Sequence, residues 1–282
     1  MSRRAEVLVG VGELLDLLAA GRSPAILDVR WRLDEPDGRP AYLAGHLPGA
    51  VYVSLEDELS DHSRTGRGRH PLPSGSDLQA AARRWGIRRD QPVVVYDDWN
   101  RAGSARAWWV LTAAGIPGVR ILDGGLSAWT AAGGALQSGV PTPVPGDVSV
   151  PHVDLYHGAR ATLTADQVAE GRAPTLLDAR SPERFRGEVE PVDPVAGHIP
   201  GARNLPSTAL LDGDGTFLAD KEIRALLAER GVGDSAGVYC GSGITAAVVV
   251  AGLCAAGVDA ALFAGSWSQW SAEADRPVAT GG

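Results

Sequence analysis

The chain reads as an α/β protein of two homologous domains, each a mainly parallel sheet flanked by helices on both faces. Three observations predict this. Blocks of sequence recur in the same order in the two halves, short apolar runs alternate with helical patterns within each half, and a proline-rich stretch separates the halves. The recurring blocks are specific. Gly21-Arg22-x-Pro24-x-x-Leu27-Asp28-x-Arg30 returns as Gly171-Arg172-x-Pro174-x-x-Leu177-Asp178-x-Arg180. Gly45-His46-Leu47-Pro48-Gly49-Ala50 returns as Gly197-His198-Ile199-Pro200-Gly201-Ala202. Ala113-Ala114-Gly115-Ile116 returns as Ala255-Ala256-Gly257-Val258, and Trp129 as Trp270. The repeat is too long for a solenoid. It divides the chain into a first domain over 1–138, a linker over 139–160 carrying Pro141, Pro143, Pro145 and Pro151, and a second domain over 161–282.

In chain order, Ala25–Leu27 and Pro92–Tyr96 are short apolar runs of the buried-strand type. Ser76 to Trp85, with its Ser-Asp start, and Ser104 to Ala114 carry helical patterns. The second copy repeats the order with helices over Asp220 to Arg230 and Thr245 to Ala256. Strands alternating with helices imply a parallel sheet, and such sheets bind ligands beyond their strand C-termini.

That position is occupied by Tyr239-Cys240-Gly241-Ser242-Gly243-Ile244-Thr245. A strand-like run ends at the cysteine, four loop residues follow, and a helix opens. A loop of this kind at a helix N-terminus presents backbone N–H groups that stabilise an anion, and the thiolate is the nucleophilic form of cysteine. The duplication supplies a control. Tyr96-Asp97 aligns with Tyr239-Cys240, and Asp98-Trp99-Asn100-Arg101 replaces the glycine-rich loop. The frame is kept in both copies and the thiol in one, which points to Cys240 as functional and Cys254, inside a helix, as packing. His46, His198, Asp28, Asp178 and Arg180 occur in both copies and read as bracing.

Composition excludes several classes. The chain has 282 residues and a net charge of −8, which opposes general binding to nucleic acid or anionic membranes. Two cysteines are too few for a disulfide-built domain, and the N-terminal apolar stretch is interrupted by Glu6, Glu13 and Asp16. No run is apolar enough for a membrane span. A cytoplasmic protein without cofactor or metal is expected.

These blocks, the Asp97/Cys240 asymmetry and Gly265-Ser266-Trp267-Ser268-Gln269-Trp270 near the end together resemble the tandem-domain sulfurtransferases of the rhodanese superfamily. The resemblance covers nearly the whole chain. It implies two rhodanese-like domains, the first inactive, and a Cys240 persulfide in the second. It implies substrate contacts from the loop residues Gly241, Gly243, Ile244 and Thr245, and from Arg184 in Arg184-Phe185-Arg186-Gly187, with Arg186 beside it. It also implies a proton relay of Ser242, His70 and Asp57. Thiosulfate enzymes of the family usually carry basic residues after the cysteine, so Gly241-Ser242-Gly243 resembles the 3-mercaptopyruvate branch. That branch has a second arginine after a Glu-Pro pair, and here Glu190-Pro191 is followed by Val192.

The expected reaction is sulfur transfer from 3-mercaptopyruvate through Cys240 to a thiol such as thioredoxin, to a low-molecular-weight thiol, or to cyanide. Thiosulfate as donor is the alternative, and a non-catalytic sulfur carrier is a remoter one. A cysteine phosphatase would want an arginine six positions after the cysteine, where Ala246 stands.

Overall fold

The computed structural model describes every residue except Met1 and Arg22; Arg22, part of the first repeat block, therefore lies outside the described residues. The chain forms two compact units. The first comprises Met1–Asp61, Leu72–Arg160 and Leu211–Phe217, and the second His62–Pro71, Ala161–Leu210 and Leu218–Gly282. The proline-rich stretch belongs to the first unit, where Val148 and Leu155 are buried. His70, which chain order puts in the first half, is part of the second unit.

The first unit holds a five-stranded sheet of β1 (Leu8–Val9), β2 (Ala25–Asp28), β3 (Val51–Tyr52), β4 (Val93–Tyr96) and β5 (Val119–Leu122). Their order is β1-β5-β4-β2-β3 and every pairing is parallel. The second unit repeats the plan with β6 (Leu176–Asp178), β7 (Arg203–Asn204), β8 (Ser235–Tyr239) and β9 (Asp259–Leu262), ordered β7-β6-β8-β9. Its counterpart of β1 is reduced to a single parallel bridge between Thr162 and Leu262. The central strands β2, β4 and β8 are apolar on both faces because helices cover both.

The helices Ala102–Ala113 and Thr245–Ala255 are apolar around nearly their whole circumference and correspondingly buried. Each follows directly on the loop after a central strand. Cys254 lies near the end of the latter and is half-buried. The Ser-Asp start expected at Ser76 falls two residues earlier. The helix runs Gly75–Arg84, and Ser74 caps it by accepting the Asp77 N–H. The alternating serines offer two caps, and Ser74 is the one whose neighbour Gly75 bonds to the Val153 carbonyl.

One device recurs in both units. Asp28 ends β2 beside Tyr96, and Asp178 ends β6 beside Tyr239. Arg30 and Arg180 each grip their aspartate through two nitrogens. Arg30 also donates to the Gly45 carbonyl at 2.6 Å and Arg180 to that of Gly197 at 2.7 Å. The tyrosine hydroxyls accept from the Leu47 and Ile199 amides, so the Gly-His-x-Pro-Gly turn is tied to the strand ends from two directions. His46 and His198 finish the turn by bonding the carbonyls of Tyr42 and Phe185 and stacking on their rings. Burial pushes the Asp28 carboxyl up, against the pull of Arg30, and pushes the Tyr239 hydroxyl well up. Breaking such a pair leaves a buried charge unmatched, so Asp178→Ala should cost about 3–5 kcal/mol in urea denaturation. Adding Arg180→Ala should cost less than the two single changes together.

Candidate active site

Strand β8 ends at Tyr239, and Cys240 is the first residue beyond it. The loop Cys240–Ile244 is buried throughout, and Cys240 is 2 % exposed. Three contacts shape it. The Ser266 hydroxyl accepts the Cys240 N–H at 3.1 Å, while the Trp267 and Ser268 amides donate to the carbonyls of Cys240 and Gly241, each at 2.9 Å. With those carbonyls engaged, the Gly243 amide turns inward and donates to Cys240 Sγ at 3.1 Å. Gly243 has φ +80°, and a β-carbon there would lie 2.5 Å from the Ala264 carbonyl oxygen, so glycine is required twice over. Ile244 is buried at the helix start, and Thr245 opens the helix half-buried.

Ser266 is a residue the sequence reading gave no role. It holds φ +54°, is fully buried, and donates from its hydroxyl to the Phe263 carbonyl at 2.9 Å. A serine in left-handed backbone is strained, and here that backbone places the hydroxyl under the Cys240 amide. Nothing local in Gly265-Ser266-Trp267 signals that.

The structure brings two of the three residues of the expected relay together. His70 Nδ1 and Ser242 Oγ share a hydrogen bond of 2.8 Å, with both residues buried. The His62 ring meets His70 edge-on at 5.8 Å. Asp57 belongs to the first unit, in the short helix Leu55–Glu58, where Ser54 donates its hydroxyl to the Asp57 carboxylate and accepts the Asp57 N–H. That cap fixes the position of Asp57 at the start of its helix.

The cations form a network on one side of the loop. Arg184 donates to Glu190 from Nε at 3.2 Å and from Nη2 at 2.6 Å, and to Asp193 at 3.2 Å. Its Nη1 faces the loop, 3.5 Å from where a Gly241 β-carbon would stand. Arg69 approaches the same point through Nη2, at 3.4 Å, and pairs with Asp193 through Nη1 at 2.6 Å. Val192, where the resemblance puts the second arginine, contributes only its amide, to Glu190. Burial alone would raise the Glu190 carboxyl, but the Asp193 amide and the Arg184 guanidinium outweigh it and hold the group below the usual carboxylate range. Arg186 is engaged with Glu188 through two bonds of 2.7 and 2.9 Å. Arg69, Glu190 and Asp193 are thus further members of the site.

The first unit shows the same loop with a different occupant. Asp97 Oδ1 accepts the amides of Trp99 and Arg101, and Oδ2 accepts both the amide and the hydroxyl of Ser104. The Arg101 guanidinium completes the pair at 3.1 Å.

The sequence profile of the Rhodanese-like domain matches residues 11–132 and again 161–273. The chain belongs to the rhodanese-like family. The "Putative thiosulfate sulfurtransferase SseB" of Mycobacterium tuberculosis is 64% identical over 100% of this chain and 99% of that protein. The "Probable 3-mercaptopyruvate sulfurtransferase" of Pseudomonas aeruginosa is 48% identical over 91% and 92%. The crystal structure of SseA from Escherichia coli, a 3-mercaptopyruvate sulfotransferase, superposes with TM-score 0.80 at 32% identity, covering 93% of this chain and 98% of that one. The expected pair of parallel-sheet rhodanese-like domains is thereby established, and the protein is a sulfurtransferase working on small-molecule donors and acceptors. Among the described residues no helix is long and apolar enough to cross a membrane, and no cluster of His, Cys, Asp and Glu could hold a metal.

Two outcomes test this geometry. Gly243→Ala should displace the amide that faces Cys240 Sγ and slow sulfur uptake at least tenfold, read by mass spectrometry of Cys240 in single turnovers. Glu190 contributes stability that is complete above its unfolded value, about 4.3, and is lost as pH falls through its depressed folded value. Glu190→Gln should therefore flatten the acid limb of a stability–pH curve below about pH 4.3.

Proposed function

We propose that the protein transfers sulfur from 3-mercaptopyruvate through a Cys240 persulfide. The observation that carries this reading is the 2.8 Å bond between His70 and Ser242, two residues beyond the nucleophile. The Cys240 thiolate attacks the donor sulfur, forming the S–S bond. The donor C–S bond breaks and its electron pair passes to carbon, leaving the enolate of pyruvate. That enolate must gain a proton, and His70, hydrogen-bonded to Ser242, delivers it in this reading. The Gly243 amide stabilises the thiolate before transfer and the anionic persulfide after it. An acceptor thiolate then attacks the outer sulfur, and Cys240 leaves as thiolate. Thioredoxin or a low-molecular-weight thiol is the acceptor we favour, with cyanide serving in assays. Two free cysteines and no disulfide among the described residues suit the reducing cytoplasm.

Arg184 would hold the donor carboxylate, with the flanking loop residues Gly241, Ile244 and Thr245 shaping the pocket around it. The charges beside it are balanced, because Asp178, Glu190 and Asp193 match Arg180, Arg184 and Arg69. Directed N–H groups without net positive charge suit a monoanionic carboxylate better than the dianion thiosulfate. The second reading, thiosulfate as donor, is favoured by the name of the 64% identical relative. Paired assays separate them. Cys240→Ser should abolish the 32-dalton adduct with either donor. His70→Asn should slow turnover of 3-mercaptopyruvate at least tenfold more than that of thiosulfate, which makes no enolate; equal slowing would remove His70 from proton delivery.

A further inference from the structure

We propose that Arg69 is the second half of the donor-anion clamp, acting with Arg184; this rests on the sulfurtransferase reading above. The two guanidinium groups come from distant parts of the chain and converge on Gly241, the residue next to the nucleophile. A β-carbon there would lie 3.4 Å from Arg69 Nη2 and 3.5 Å from Arg184 Nη1, so both forks border the space directly beside the loop. Asp193 joins them, its Oδ1 on Arg69 at 2.6 Å and its Oδ2 on Arg184 at 3.2 Å. With that carboxylate only 3 % exposed, the bridge is a fixed part of the site.

Arg69 keeps binding capacity in reserve. Asp193 takes its Nη1, which leaves Nη2 as the nitrogen that faces the loop beside Gly241. An anion entering there would meet that N–H directly. The backbone holds the residue in place as well. The Arg69 amide donates to Ser268 Oγ at 3.0 Å, in the short helix whose amides cap the Cys240 loop. Gly68 beside it has φ +82°, and a β-carbon there would press on the Gly265 carbonyl and lie 2.9 Å from Ser268 Oγ. Glycine thus lets the segment lie flat against the element that supports the nucleophile. Two planar forks set this way match the oxygens of a carboxylate.

The test uses the full-length protein and pyruvate, which keeps the donor's 2-oxo acid and lacks its sulfur. Calorimetry should show Arg69→Met weakening pyruvate binding about tenfold to a hundredfold, with Arg69→Lys, which keeps charge but not the fork, losing less. With 3-mercaptopyruvate, Arg69→Met should raise KM by a similar factor and leave kcat within about threefold. An unchanged melting temperature shows that the variant is folded. Pyruvate affinity and KM within twofold of the parent protein in a folded Arg69→Met would overturn the proposal, as would absence of pyruvate binding to the parent itself. If pyruvate binding depends on Arg69 and Cys240 still gains no sulfur from either donor, the clamp stands and the transfer reading fails.

Discussion

Asp178 is fully buried at the end of β6, and its bond with Arg180 holds together the end of the second unit that carries the Cys240 loop. The arginine reaches the Gly197 carbonyl on one side and Glu190 on the other, and it lies over the Trp267 ring at 4.7 Å. Strand end, turn, cation network and supporting helix are therefore referred to one buried ion pair. Its first-unit equivalent, Asp28 with Arg30, performs the same tying without any nucleophile nearby. The pair is thus part of the frame, and in the second unit it also reaches Glu190 and the Trp267 ring.

The two loops show what that frame selects. Where the second unit has a sulfur facing one amide, the first has a carboxylate taking three amides and a hydroxyl. The Asp97 carboxylate takes up the backbone N–H groups that the loop presents, and the Arg101 guanidinium pairs with it. The two copies thus share a loop position after a central strand and differ in how fully its amides are engaged.

Much of this was legible in the residues themselves. Cys240 stood out because its counterpart is Asp97, and the histidines of the Gly-His-x-Pro-Gly blocks were readable as braces because both copies keep them. Strand and helix positions followed from apolar runs that burial on both sides demands. What stayed hidden depends on distance or conformation. Arg69 lies in a basic run that looks solvated, and its partner Asp193 is 124 residues away. Ser266 works through a left-handed backbone that composition does not encode. Arg186 and Asp57 matched by position, and their bonds to Glu188 and Ser54 follow from neighbours in the chain. The cap at Ser74 was missed because two serines compete within three residues and a tertiary contact of Gly75 favours the earlier one.

The second unit draws His62–Pro71 from the first half of the chain, and the first unit draws Leu211–Phe217 from the second half. A gene fragment beginning at the proline-rich stretch would encode Cys240 without His70 or Arg69. Neither compact unit is a single continuous stretch of sequence, so a cut at the proline-rich stretch would take a segment away from each.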